Sequence, residues 1–256
     1  MTPSGAKLAE LAEVGLTILP QVVEGTAVAT LRGELVAAIE EDLRLRPDVF
    51  DAGMVHNCMV RGPAMAALLD HRLMNATVQS VLGETCILYA YQSSSLPPHG
   101  QTNYGRRIHR DSPRFIPEYP TNVGVILALD DFTEENGATH YMPGSHKMEG
   151  LPTEDEFRHL ERRAFCQAGD MVIFQARLMH CSGINRTGEP RHALTLNLCR
   201  SYMRQRFDFP RLVPAELIAS LGPDGQRLIG MNVRVPTSLD EFYLPEAERL
   251  YKPNQG

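Results

Sequence analysis

The 256-residue sequence has no tryptophan, and aromatic residues make up only 7% of it. Its core must therefore rest mainly on Leu, Val, Ile, Ala and Met. The five cysteines, Cys58, Cys86, Cys166, Cys181 and Cys199, are odd in number and include no CxxC pair. That spacing argues against a disulfide framework or a thiolate zinc site, and free, reduced thiols are expected. No apolar run approaches the roughly 20 residues of a membrane span. Met1 to Leu19 lacks the basic start and apolar centre of a secretory signal. Basic residues do not outnumber acidic ones: 25 against 31 leaves a net charge of −6. No sequence-wide electrostatic footprint for nucleic acid or a membrane surface is present. Internal repeats and low-complexity segments are lacking too. These absences suggest a cytoplasmic protein with no nucleic-acid or membrane partner, and they leave its oligomeric state open.

What is there falls into two regimes. Hydrophobic residues form 43% of the chain and charged residues 22%, ordinary values for a globular protein. From Ala6 to about Gly83 the pattern is mainly helical. Val28, Leu31, Leu35, Ala38, Ile39 and Leu43 recur at helical spacing between Gly25 and Arg46, and Pro47 ends that helix. Pro63 to Leu69 and Arg72 to Leu82 predict two shorter helices, with Gly83 closing the second. Leu16 to Leu19 lies in a short predicted strand. From Cys86 onward short strands dominate: Cys86–Ser93, Thr121–Leu129, Met171–Gln175 after a Gly169-Asp170 turn, and His192–Tyr202 with period two. Pro143 to Glu156 reads as a loop. Many short strands after a helical start fit a β-barrel or jelly roll supported by helices. We expect one domain over residues 1–256, with a mainly helical part at 1–83, a jelly-roll core at 84–202 and a C-terminal extension at 203–256.

One constellation carries chemistry. His109 and Asp111 form a His-x-Asp pair, and on a strand residues two apart share a face. His180, after an apolar strand and before a turn with Gly183 and Asn185, is the best third ligand. Two imidazoles and one carboxylate leave coordination positions open, the arrangement of non-haem iron(II) oxygenases. Arg191 follows His180 by eleven residues and opens the last clear strand. That strand offers no acidic partner, and a bound dicarboxylate would meet the guanidinium in a bidentate fork.

These features together resemble the phytanoyl-CoA dioxygenase-like family. The order His-x-Asp, distal His and an Arg eleven residues later carries the likeness. So do Asp130 to Thr139, the Pro143-Gly144-Ser145-His146 turn and Ala168 to Phe174, within a match from about Val81 to Tyr202. The resemblance implies a double-stranded β-helix of cupin-like form, mainly β with flanking helices. It implies a dioxygenase with iron(II), 2-oxoglutarate and O2, releasing succinate and CO2 as an unactivated C–H bond of a small metabolite is oxidised. It assigns iron ligation to His109, Asp111 and His180, and the cosubstrate's distal carboxylate to Arg191, with help from Ser182 and Thr139. Many relatives carry a glutamine just before His-x-Asp; here Arg106 and Arg107 occupy that stretch.

Hydroxylation in secondary metabolism is the leading outcome. Desaturation, epimerisation and ring formation share its ligand set, whereas halogenases lack the carboxylate that Asp111 supplies. A zinc hydrolase leaves Arg191 without a role, and a non-catalytic jelly-roll binding module leaves the whole ligand set unexplained. Strand parity puts Arg107 on the face of His109 and Asp111. Arg107, Tyr104, Asn103 and His99 are the expected contacts to an anionic or polar substrate.

Overall fold

The computed structural model describes residues 2–102, 105–252 and 255. The N-terminal part supplies α1 (Gly5–Val14), β1 (Leu16–Leu19), α2 (Gly25–Leu45), α3 (Pro63–Ala67) and α4 (Arg72–Leu82). The strand-rich part follows with β2 (Ile87–Ser93), β3 (Asn122–Ala128), β4 (Thr139–Tyr141), α5 (Glu154–Leu160), β5 (Arg162–Ala164), β6 (Met171–Gln175), β7 (His180–Ser182) and β8 (Ala193–Cys199). Four short helices, α6 (Phe209–Leu212), α7 (Ala215–Ser220), α8 (Pro223–Leu228) and α9 (Leu239–Phe242), come last.

Two antiparallel sheets result. The larger has the order β1-β6-β3-β8-β2 and the smaller β5-β4-β7. β1 leaves the helical part to pair with β6, Leu16 opposite Phe174 and Leu19 opposite Met171. The Gly169-Asp170 turn sets up that pairing. Gly169 has φ +93°, and a Cβ there would lie 2.4 Å from the Val23 carbonyl oxygen.

Alternation along the strands divides the interior in two. Val123, Val125 and Leu127 on β3, Met171 and Ile173 on β6, and Leu194, Leu196 and Leu198 on β8 join the main apolar cluster. Leu31 and Leu35 of α2, Met65 of α3, and Met74 and Val78 of α4 pack into the same cluster. The opposite residues, among them Ile126, Val172, Phe174 and Ala193, meet Ala138, Tyr141 of β4 and Ala164 of β5 in a second cluster shared by both sheets.

Three sequence expectations change. β4, β5 and β7 are three residues each, too short for a periodic signal, and were not anticipated. The expected 143–156 loop holds a 3-10 turn at Ser145–Lys147 and the start of α5, which Thr153 and Glu156 close with a capping box. Residues 106–111 form no regular strand: the segment is turn and bend, held by one antiparallel bridge between His109 and His180.

The C-terminal residues are built into the core. Phe209, Val213, Leu221, Leu228 and Ile229 join the main cluster. Asp70 accepts from the backbone amides of Gly222 (2.8 Å) and Gly225 (2.7 Å) around the start of α8. Arg227 of α8 is buried and donates to the Cys86 carbonyl and to Asn75 Oδ1. All five cysteines are free, as expected.

Candidate metal centre

His109, Asp111 and His180 each offer a donor atom, and the three atoms lie within 4.8 Å of one another. Asp111 Oδ1 is 3.4 Å from His109 Nε2 and 3.8 Å from His180 Nε2. The side chains converge, though by a different route from strand parity. His109 and His180 exchange backbone hydrogen bonds, both 3.0 Å, across their bridge. The following bend then brings the Asp111 carboxylate round to both rings.

The far side of each ring decides what this side can do. His109 Nδ1 lies 2.7 Å from the Arg107 carbonyl and His180 Nδ1 2.9 Å from the Leu178 carbonyl. A carbonyl can only accept, so each Nδ1 carries a proton, and each Nε2 faces the shared space as the atom that ligates when the ring is neutral. That tautomer suits metal ligation, and the outer hydrogen bonds orient the rings. Burial pulls the His109 pKa down, but the Asp111 carboxylate and the Arg107 carbonyl outweigh it and leave it raised. For His180 burial wins and its pKa is lowered. Burial pushes the Asp111 pKa up, yet the two imidazoles and Asn197 hold it below the ordinary value. A carboxylate that stays ionised beside two imidazoles is a fitting donor set for a divalent cation.

Neighbouring motifs hold the set in place. Ser145, in the Pro-Gly-Ser-His turn, is buried; its Oγ donates to the Met142 carbonyl and accepts from the Met179 amide at 2.9 Å, one residue before His180. His146 of that turn approaches the Ala12 carbonyl rather than the centre. The Phe174 ring meets His180 edge-on, 5.0 Å between centroids. That ring lies over Gly124, where a Cβ would approach within 2.2 Å of it. Cys181 turns away from the centre into a cluster with Met142, Phe157 and Met179.

A cavity of about 350 Å³ opens in front of the three residues. Thr139, Ser182, Arg191, Thr195 and Asn197 are among its lining. Arg191 is 2% exposed. Its backbone is locked by two hydrogen bonds to Leu96, and its guanidinium lies 4.0 Å from the centroid of the Phe132 ring. The group has no ion pair among the described residues; Nη2 reaches the Ser94 carbonyl at 3.4 Å and Nε is buried without a partner. Burial lowers its pKa to about 10. The hydroxyls of Ser182 and Thr195 are also buried without partners among the described residues. Thr139 faces Ser182 in the register of β4 and β7. Unpartnered buried polar atoms around an unpaired cation fit an anionic, oxygen-rich ligand such as a dicarboxylate.

The sequence reasoning passed over Thr195 and Asn197, although the alternation of β8 sets both opposite its leucines. Asn122 Nδ2 donates to Asn197 Oδ1 at 2.9 Å, leaving the Asn197 amide nitrogen for Asp111. Gln92 of β2 and Arg206, 3.1 Å apart, also line the cavity and were missed.

The expected substrate contacts fare differently. Asn103 and Tyr104 lie outside the described residues. Arg107 and His99 are exposed and absent from the cavity wall, because the 106–111 segment is not the strand whose parity aimed Arg107 inward. Arg110, on that wall, spends its guanidinium on four carbonyls between Ser145 and Gly150.

Comparison with known proteins agrees with this geometry. The family model described as phytanoyl-CoA dioxygenase matches residues 11–193. An uncharacterized protein of Mycobacterium tuberculosis, Rv1501, is 30% identical over 256 residues, covering 95% of this chain and 92% of its own. The iron/alpha-ketoglutarate-dependent dioxygenase penM of Penicillium thymicola is 34% identical over 164 residues, 59% of this chain and 49% of its own. Among solved structures, the non-heme alpha ketoglutarate dependent carbocyclase SnoK from nogalamycin biosynthesis superposes with a TM-score of 0.63 at 21% identity, covering 83% of this chain and 92% of that one. Among the described residues no helix is long and apolar enough to cross a membrane.

Proposed function

The chain belongs to the phytanoyl-CoA dioxygenase family and is an enzyme using iron(II), 2-oxoglutarate and O2; from that premise we propose that His109, Asp111 and His180 hold the iron and that the enzyme hydroxylates an unactivated C–H bond of a small metabolite. The reading rests on the ring geometry, in which carbonyls fix both Nδ1 protons while both Nε2 atoms face one carboxylate. The two antiparallel sheets closing over a shared cluster support a double-stranded β-helix. When bound, iron(II) with 2-oxoglutarate and O2 supplies oxidising power, and the cosubstrate leaves as succinate and CO2.

The protein's part is binding and orientation. Arg191 offers its unpaired guanidinium to the distal carboxylate of 2-oxoglutarate, and the free hydroxyls of Ser182 and Thr195, beside Thr139, complete that pocket end. The Asn122–Asn197 pair steadies Asp111. Arg206, which has no ion pair among the described residues, takes over from Arg107 as the cation facing a polar group of the substrate. With an intact carboxylate ligand at Asp111, hydroxylation is favoured over halogenation.

Alanine variants of His109, Asp111 and His180 test this directly. Each is expected to lose iron and succinate release while keeping its far-ultraviolet circular dichroism. Full turnover with wild-type iron content in any one of them sinks the assignment.

A further inference from the structure

A second cavity, about 480 Å³, lies beside the first and is mostly apolar. Val36, Ile39 and Leu43 of α2, with Met54, Leu96 and Pro97, supply its apolar lining. Met54 and Thr102 line both cavities, so the two share a boundary. The segments between them alternate. Arg191 faces the cavity of the metal centre while its neighbours Pro190 and His192 face the cleft; Ser94 faces the former, and Ser95 and Leu96 the latter.

Among the described residues that line the cleft there is no lysine or arginine. Its carboxylates are Glu40, which is exposed, and Asp51, held 2.7 Å from His56. Ser95, Gln101, Thr102 and His192 also line it, but Ser95 and His192 bond each other at 2.9 Å and Gln101 donates to the Ser182 carbonyl at 3.1 Å, so the walls repel an anionic group and commit part of their polar atoms elsewhere. Leu43 stands at the rim, 42% exposed, and serves no core. Ile39 is half-buried and also packs against the main apolar cluster, whereas Val36 and Leu43 on the same stripe border the cleft, which shares Met54 and Thr102 with the reactive cavity.

We propose that this cleft holds an uncharged, apolar portion of the enzyme's own substrate, whose oxidised carbon reaches the metal cavity past Met54 and Thr102. The substrate is thus amphipathic, with an apolar body of several carbons in the cleft. The proposal rests on the oxygenase reading of the first cavity for its purpose, but the cleft's binding chemistry can be measured without it.

Metal-free protein labelled with 13C at the methionine methyls provides the test, with Met54 assigned through Met54→Leu. Titration with hexan-1-ol and octan-1-ol should shift the Met54 signal saturably. Octan-1-ol should bind roughly fifteenfold more tightly, since each buried methylene contributes about fourfold. Ala52→Trp, which fills the mouth from an exposed position, and Leu43→Glu, which charges the rim, should each weaken octan-1-ol at least tenfold. Both should leave the melting temperature and 2-oxoglutarate binding unchanged. Absence of a saturable Met54 shift overturns the proposal, as does equal affinity for the two alcohols or unaltered binding in both variants. Because no iron is present, these failures would leave the metal assignment standing; failure of iron or 2-oxoglutarate binding in the native protein would strike that assignment and not the cleft.

Discussion

The two faces of the larger sheet come from the same strands and obey opposite rules. On β8, Leu194, Leu196 and Leu198 enter the apolar cluster under the helices and are fully buried. One residue away, Thr195 and Asn197 face the metal cavity, and the Thr195 hydroxyl is left without a partner. β3 repeats the division, with Val123, Val125 and Leu127 on one side and Asn122, Gly124 and Ile126 on the other. The packed face shows how the fold is held. The opposite face keeps polar atoms unsatisfied, and natural proteins tolerate that mainly where a ligand completes the set.

Substitutions can break this contrast. The largest effect is expected at Arg191, a buried cation with no carboxylate beside it. Arg191→Met removes the group that would pair with the cosubstrate, and losing one half of a buried charge pair costs roughly 3–5 kcal/mol. The apparent KM for 2-oxoglutarate should therefore rise by about two orders of magnitude or more. The melting temperature should hold or rise, because an unpaired charge has left the interior. An unchanged KM, measured by succinate release, would remove Arg191 from the cosubstrate site.

Next come neighbours of opposite duty on one strand. Leu196→Ala should cost about 2–5 kcal/mol in denaturant unfolding, the usual loss for a truncated core leucine. Thr195→Val, one residue earlier, should change stability by no more than about 1 kcal/mol, since it replaces an unbonded buried hydroxyl with a methyl. It should still raise the 2-oxoglutarate requirement. Equal destabilisation by the two would show that both faces are packed core.

Asn197→Leu sharpens the contrast at the metal. It keeps the shape but removes the donor to Asp111, and loss of such an outer hydrogen bond typically weakens metal binding about 10–100-fold. Iron titration of the apoprotein reads this, and wild-type affinity would make the Asn122–Asn197 pair purely structural. The smallest effect concerns pH. His109 holds its proton to a higher pH than a free histidine because Asp111 stabilises the charged ring. Metal and proton compete for Nε2, so iron affinity should fall as pH drops through that raised value, by about one decade per unit for one proton. The low Asp111 pKa adds nothing until far more acidic conditions. A pH-independent affinity across the histidine range would contradict the ligand role of His109.

Much of the helical part could be read beforehand. α2 buries Val28, Leu31, Leu35 and Ala38 as its spacing implies, and Gly83 caps α4. β2, β3, β6 and β8 lie where composition and alternation put them. β4, β5 and β7 escaped because three residues cannot display a period; pairing to one another defines them. The 106–111 segment misled because residues two apart share a face only on a strand, and the structure has a bend there. That difference moved Arg107 outward.

The sequence by itself determined the chemistry available: two histidines, an aspartate and an arginine of types and order suited to iron and a dicarboxylate, and strands whose alternation sets leucines against polar residues. Those are properties of side-chain chemistry and local geometry, which neighbours in the chain can specify. Only the tertiary structure decided which side chains meet. The His109–His180 bridge spans 71 positions of chain, Asn122 reaches Asn197 across paired strands, and the Arg191 guanidinium lies over Phe132 with no ion pair among the described residues. It also set α2 beside the 95–102 segment, making an apolar cleft from residues that share no motif. Contacts of that range follow from how the sheets close and the helices pack, and one-dimensional spacing does not encode them.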